Sequence, residues 1–285
     1  MTNFAVFINP SFSDLHSIFS LLERLKKEHR IEFFGVDEQR DILPEYIHCR
    51  DLSQIGMLRI DCVLVFGGDG TILRAKEIAL ATSAPILGIN LGYLGFLSET
   101  TLNELQASLQ TLFNGRYKLL SRMLIQSRLI RDGNTVFQGL ALNDAVLFKA
   151  ETPRMIQVRI SCNGRFVFNT RCDGVIAATP TGSTAYSLSA GGPLLSPETE
   201  ALVINPLNPH ILSIRPMVFP ARDHIRMQAH GMHEPGCLQI DGVNSVRIEE
   251  GDEVLVTAAK RRVDFIRLSN RTFYRILRNK LHLGK

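Results

Sequence analysis

Gly67-Gly68-Asp69-Gly70-Thr71 sets one carboxylate among glycines. Glycine admits left-handed backbone and lets a ligand approach the main chain closely. A helix beginning at Thr71 would turn free N–H groups and a partial positive charge toward phosphate. There Asp69 could take a proton from an attacking hydroxyl or hold a metal ion. Arg74, one turn into the helix, could reach the phosphate charge. Gly67, Gly68, Gly70 and Thr71 are the candidate phosphate cradle. Taken alone, the same residues also read as a tight strand-to-helix turn capped by Asp69. The segment is neither a Walker A loop nor a G-x-G-x-x-G fingerprint.

A second constellation runs from Asp173-Gly174 through an apolar strand into Thr179-Pro180-Thr181-Gly182-Ser183-Thr184-Ala185-Tyr186. Small hydroxyls and bare backbone there suit sugar and base atoms, and small side chains let a flat base approach. Asn143 both donates and accepts, which suits neighbouring ribose hydroxyls; ionised Asp144 only accepts, which suits hydroxyl donors. Arg154 and Arg171 can pair with a pyrophosphate in forked geometry. Phe96 and Tyr186 can stack on a base or fill core space. Each feature has a plainer reading as a turn, a solvated strand face or core. His210, His230 and His233 read as turn or surface residues, because no Cys, Asp or Glu cluster surrounds them at ligand spacing.

These residues need elements to place them. Phe4 to Ile8, Ile31 to Val36, Cys62 to Phe66 and Pro85 to Ile89 read as strands. Helical spacing of Leu15, Ile18, Leu22 and Leu25, with Ser13 as N-cap, fills the first gap. A further helix follows the glycine turn to about Ala81. This β-α order predicts a parallel sheet with flanking helices, and ligands bind beyond the carboxyl ends of such strands. A helix is expected over Thr101 to Phe113. Strands and hairpins follow: Tyr117 to Arg131, Thr135 to Phe148, and a pair flanking Asn163-Gly164. More strands are expected near 175–179, 215–219, 237–241, 246–248 and 253–258. Thr272 to Leu281 reads as a closing helix. The predicted domains are an α/β domain, 1–98 completed by 269–285, and a mostly β domain, 99–268.

At 285 residues with 45% apolar and 21% charged composition, a sizeable core is available without staples. Net charge is +4 and the basic residues are scattered, which suits an anionic substrate better than a nucleic acid. The cysteines Cys49, Cys62, Cys162, Cys172 and Cys237 are odd in number and lack C-x-x-C spacing. Reduced cysteines in a cytoplasm fit better than a disulfide framework or zinc site. Met1-Thr2-Asn3-Phe4 lacks the charged and apolar regions of a signal peptide, and no apolar run approaches the ~18 residues of a membrane span, so a secreted or membrane-embedded protein is not expected.

Several motifs in order resemble the NAD kinase family: G-G-D-G-T at 67–71, G-I-N-L-G-Y-L-G-F-L at 88–97, L-N-D at 142–144 and R-C-D-G at 171–174. T-P-T-G-S-T-A-Y-S-L-S-A-G-G-P at 179–193, N-P-H-I-L-S-I-R-P at 208–216 and D-G at 241–242 add to them. The 179–193 stretch is the most specific; G-G-D-G alone also occurs in lipid kinases. The resemblance implies an N-terminal α/β domain with a C-terminal β domain, and ATP-dependent phosphorylation of the adenosine-ribose 2′-hydroxyl of NAD. It implies Asp69 as general base, Gly70 beside it, Phe96 near the adenine, and Asn143 and Asp144 at the adenosine ribose. Asp173 and Tyr186 would hold the nicotinamide half and the adenine region. Thr184, Ala185 and Ser189 would line the same loop, with Arg154 and Arg171 contacting the dinucleotide; Ser187 and Arg74 are added here as further candidates for binding NAD. It further implies Mg²⁺ or a similar divalent ion carried with the triphosphate, and a homodimer or homotetramer. Two positions depart from the family: Asp144 where Glu is common, and Val243 where a polar amide is common. Rival readings are a lipid or sphingoid-base kinase sharing the G-G-D-G turn, and a non-catalytic dinucleotide sensor.

Overall fold

The computed structural model describes residues 1–92, 95–149, 151, 153–232 and 234–282. Tyr93 and Leu94 of the 88–97 motif, and His233, lie outside the described residues. The chain divides into two compact units, Met1–Ser121 with Val263–Lys285, and Arg122–Arg262.

The first unit holds β1 (Asn3–Ile8), α1 (Leu15–His29), β2 (Glu32–Val36), β3 (Ile47–Arg50), α2 (Leu52–Gly56), β4 (Cys62–Phe66), α3 (Asp69–Thr82), β5 (Ile86–Asn90), β6 (Thr100–Thr101) and α4 (Leu105–Phe113). Strand β7 (Lys118–Arg131) leads into the second unit. That unit carries β8 (Asn134–Ala141), β9 (Asp144–Phe148), β10 (Ile156–Cys162), β11 (Arg165–Cys172), β12 (Gly174–Ala178), α5 (Tyr186–Ser189), β13 (Ala201–Leu207), β14 (Met217–Pro220), β15 (Ile225–His230), β16 (Gly236–Ile240) and β17 (Asn244–Ile248). Strand β18 (Glu253–Arg267) leads back, and α6 (Phe273–Leu281) follows.

In the first unit β5, β4, β1, β2 and β3 lie side by side, all parallel. The buried faces of β1 and β4 are continuous apolar runs, as a sheet covered on both sides requires. Helix α1 buries Ile18, Leu22 and Leu25, one helical stripe. Its N-cap is Asp14 rather than the expected Ser13: the Asp14 carboxylate accepts from Ser17 N at 3.1 Å, whereas residue 13 lies one place too early. Helix α3 likewise starts at Asp69, not Thr71, with Gly68 as N-cap. Leu102–Glu104 form a 3₁₀ turn before α4, where one continuous helix was expected. The end of β18 pairs with β5, Phe265 beside Ile86.

The second unit is built on two antiparallel layers. One contains β11-β10-β15 and the start of β18; the other runs β14-β13-β12-β9-β16-β17. Val158 and Met227 of the first share a core with Val175, Ile204 and Leu238 of the second. Each such buried side chain contributes about 1.5–3 kcal/mol. Asn163 and Gly164 are left-handed (φ 51° and 78°), the turn expected between β10 and β11. Strands β13 and β15 are absent from the expectations above. The Asn205-Pro206 pair inside β13 mimics a turn signal, whereas β15 does carry a strand's period-2 pattern, Ile225, Met227 and Ala229 alternating with polar residues. The single strand expected over 135–148 is two, broken at Leu142-Asn143.

Candidate active site

In the first unit, buried β4 delivers the chain to Gly67, whose N–H donates to Ile89 O at 2.9 Å. A side chain at Gly67 would overlap Thr71. A Cβ at Gly68 or Gly70 would meet nothing within 4 Å, so the backbone there faces open space. Thr71 N and Ile72 N both donate to Gly68 O (3.0 and 3.2 Å), while the Asp69 and Gly70 N–H groups precede the first intrahelical bond and sit at the positive end of α3.

The Asp69 side chain folds back onto the segment after β5. Its Oδ2 accepts from Phe96 N at 2.9 Å and its Oδ1 from Leu97 N at 3.1 Å. Gly95 is required for this approach, since a Cβ there would overlap the carboxylate. Ser98 Oγ accepts from Gly95 N at 2.8 Å, and Asn90 Oδ1 accepts from Gly92 N at 2.7 Å. Asp69 is thus fixed in place while each oxygen keeps acceptor capacity, because a carboxylate offers about four lone-pair sites. Arg74 is exposed and faces Glu38 (3.7 Å) and the Phe7 ring (5.4 Å to the centroid). Phe96 is half-buried beneath Lys280, whose Nζ is 5.9 Å from the ring centre.

In the second unit, Asp241 organises the break between β8 and β9. Asp241 and Gly242 are left-handed (φ 51° and 69°), and Val243 N donates to Ile240 O, a primed hairpin turn joining β16 to β17. The Asp241 carboxylate accepts from Leu142 N (2.9 Å), Asn143 N (2.7 Å) and Asp144 N (3.2 Å). Thr179 N donates to Asn143 O at 2.8 Å, and Gly182 lies so close to Asn143 that any side chain would overlap its carbonyl. Asn143 is therefore held from two sides, its side chain half-buried.

Asp144 is buried, and burial pushes its carboxyl up to about 7, with the Asp241 charge adding to the rise. Below about pH 4 both the folded and unfolded chains hold this proton. Between pH 4 and 7 the unfolded chain releases it and the folded chain does not, so stability falls through that window. Asp144→Asn is expected to remove this dependence, leaving the variant about 2–3 kcal/mol more stable than the parent at pH 8 but not at pH 4. Urea unfolding at both pH values checks it; parallel stability curves would contradict it.

Tyr186, exposed at the start of α5, lines a cavity of ≈ 610 Å³ with Phe148, Lys149, Asp173, Pro235 and Gln239. That volume is of the size that takes small molecules. Lys149 Nζ at 2.7 Å and Asn208 Nδ2 at 2.8 Å hold the Asp173 carboxyl below the usual carboxylate range, the Lys149 bond foremost. Ser187 is buried, and Asn205 Nδ2 donates to its carbonyl at 3.0 Å; Thr184 and Ala185 are half-buried and Ser189 is exposed. Arg154 and Arg171 line a separate cavity of ≈ 400 Å³ with Gln157, His210 and His230. Arg171, Gln157 and His230 form one cross-strand row over β11, β10 and β15. Val243 is exposed at its hairpin tip.

The sequence profile of the ATP-NAD kinase N-terminal domain matches residues 22–117, and that of the ATP-NAD kinase C-terminal domain matches 142–268. The chain belongs to the NAD kinase family. An NAD kinase of Koribacter versatilis is 37% identical across all of this chain and 99% of its own. NAD kinases of Desulforamulus reducens (40% identity, 89% of this chain, 88% of theirs) and Heliobacterium modesticaldum (42%, 80% and 80%) are similar. Among solved structures, a yeast NADH kinase complexed with NADH superposes with a TM-score of 0.90 at 25% identity, over all of this chain and 88% of that one. An Archaeoglobus fulgidus NAD kinase in complex with ATP shares the fold (TM-score 0.75, 24% identity, 99% of each chain).

Sequence alone misses several residues of this NAD kinase relative. Asp241 and Asn208 stand only within the D-G and N-P-H-I-L-S-I-R-P motifs, with no role attached, and Lys149, Gln239 and Lys280 carry no motif. Their signal is spatial: Asp241 lies 97 to 99 residues from the amides it binds. Among the described residues no group of three or more His, Cys, Asp or Glu side chains could hold a metal ion.

Proposed function

We propose that this chain transfers the γ-phosphoryl group of ATP to the 2′-hydroxyl of the adenosine ribose of NAD, giving NADP and ADP. The observation that carries this is Asp69: one carboxylate, fixed by the Phe96 and Leu97 amides, at a turn whose glycine backbone is open. As the ribose oxygen forms its bond to the γ-phosphorus, the bond to the ADP oxygen breaks and the hydroxyl proton passes to Asp69. The N-terminal amides of α3 stabilise charge on the transferring group, and positioning supplies much of the rate. Asn143, Asp144, Asp173 and Tyr186 are assigned to the dinucleotide, and Gly67, Gly68, Gly70 and Thr71 to the donor phosphates.

A divalent ion such as Mg²⁺ would be carried by the triphosphate oxygens and would neutralise phosphate charge, which leaves Asp69 for the proton. We place the enzyme in the cytoplasm as a homodimer or homotetramer, an assembly that sedimentation would resolve. Among the described residues no helix is long and apolar enough to cross a membrane.

Incubating the purified chain with NAD, ATP and Mg²⁺ is expected to yield NADP, read by an NADP-specific dehydrogenase; no NADP overturns the proposal. Gly70→Ala separates ligand approach from folding. Alanine favours the helix by up to about 1 kcal/mol over glycine. The methyl would occupy the open space assigned to phosphate. The variant is expected to melt no lower than the parent while its kcat/KM for ATP falls about tenfold, roughly 1.4 kcal/mol of transition-state binding. Unchanged kcat/KM would show that no ligand comes close at residue 70.

A further inference from the structure

Helix α6 closes a cavity of ≈ 300 Å³ lined by Thr101, Glu104, Arg271, Arg275, Asn279 and Lys280. Glu104 is already engaged, 3.9 Å from Arg271 and 3.2 Å from Thr101 Oγ1. Among the described residues neither Arg275 nor Lys280 has a carboxylate within ion-pair distance. The lining therefore carries an excess of positive charge and amide and hydroxyl donors, a set that suits phosphate oxygens.

The wall of this cavity is anchored. The buried Glu99 carboxylate accepts from Leu268 N (2.9 Å) and Ser269 N (2.7 Å) and lies 3.3 Å from Arg267 Nε. These bonds fix the segment entering α6. Thr101 lies at the carboxyl end of β5, where β6 pairs with it at Ile89 and Asn90. Gly67 leaves the neighbouring strand at the same end of the sheet, Phe66 pairing with Ile89. Lys280 belongs to both places: it lines the cavity and sits over Phe96, whose own N–H donates to Asp69.

We propose that this cavity is a polyphosphate subsite that takes phosphates of the triphosphate donor other than the transferring one, which stays at the glycine turn, with Lys280 and Arg275 as its cations. The assignment rests on the reaction proposed above and adds α6 to the donor site. Lys280 acts as a binding residue and Glu99 as a positioning residue. The cations are exposed, so binding should weaken with salt.

Two phosphate sources compete for such a site, the donor triphosphate and the pyrophosphate of the dinucleotide, and the test separates them. Steady-state KM values for ATP and for NAD are measured in the full chain, in Lys280→Gln and in Lys280→Arg. Binding of inorganic tripolyphosphate is measured by calorimetry without nucleotide, with circular dichroism confirming the fold. Lys280→Gln is expected to raise the KM for ATP and the Kd for tripolyphosphate about tenfold and to leave the KM for NAD within about twofold. Lys280→Arg should recover most of both losses. Unchanged tripolyphosphate affinity in folded Lys280→Gln overturns the subsite. So does a rise confined to the KM for NAD. If the parent chain binds tripolyphosphate through Lys280 yet forms no NADP, the anion subsite stands and the proposed reaction falls.

Discussion

Asp69→Asn is expected to lower turnover by about 10³-fold while NAD binding, followed by calorimetry, changes by only a few-fold. The loss has two sources that can be told apart. An amide cannot take the ribose proton, which removes the base. It also offers one acceptor oxygen where the carboxylate offers two, so one of the Phe96 and Leu97 amides loses its partner. An unsatisfied amide costs about 1–3 kcal/mol when buried, as Leu97 is, and less if it is that of half-buried Phe96. The second effect appears in urea unfolding and cannot by itself produce the expected fall in kcat. Turnover equal to that of the parent chain would remove Asp69 from the chemistry and leave it as a loop clamp alone.

Asp241→Ala is expected to be the most destabilising single change in the second unit. It strips the acceptor from the amides of Leu142, Asn143 and Asp144 at once. The expected cost is about 3–5 kcal/mol, the penalty for leaving several buried donors unpaired. One term opposes it: removing the Asp241 charge relieves its repulsion with Asp144. Burial is the larger cause of the raised Asp144 carboxyl, so this relief is the smaller effect. Asp241→Asn should fall between, since its amide oxygen retains part of the acceptor set. In folded protein at low temperature, the Asp241→Ala KM for NAD should rise, because Asn143 loses one of its two supports. A loss of stability below about 1 kcal/mol, typical of an unremarkable substitution, would mean that other groups satisfy these amides.

Asp69 and Asp241 also mark the boundary of what can be read without coordinates. The parallel sheet was legible because β1 and β4 are apolar runs bounded by turn residues, a local pattern. The turns at Asp132-Gly133 and Asn163-Gly164 were legible for the same reason: residue pairs tolerant of left-handed backbone. Strand β13 was not, because its Asn205-Pro206 pair carries a turn signature yet lies buried in the sheet. The pairing of Arg154 and Arg171 around one cavity, apart from that of Asp173 and Tyr186, depends on register across β10 and β11, which no local pattern encodes. Asp69 was visible as a candidate base, but its bonds to Phe96 and Leu97 needed the fold. The family resemblance supplied roles for Asn143 and Asp144; only the structure shows that Asp241 holds them.

The chain leaves its first unit near residue 121 and rejoins it at residue 263. On a ribosome the order of completion is therefore inverted. The later unit has all of its own strands once residue 262 has emerged. The earlier one must still wait for Phe265 to reach β5, for Arg267 to reach Glu99, and for α6 to bring in Lys280. Nascent chains stopped before residue 263 would carry the glycine turn and Asp69 in an unfinished sheet. Catalytic competence would wait for the segment that follows residue 262.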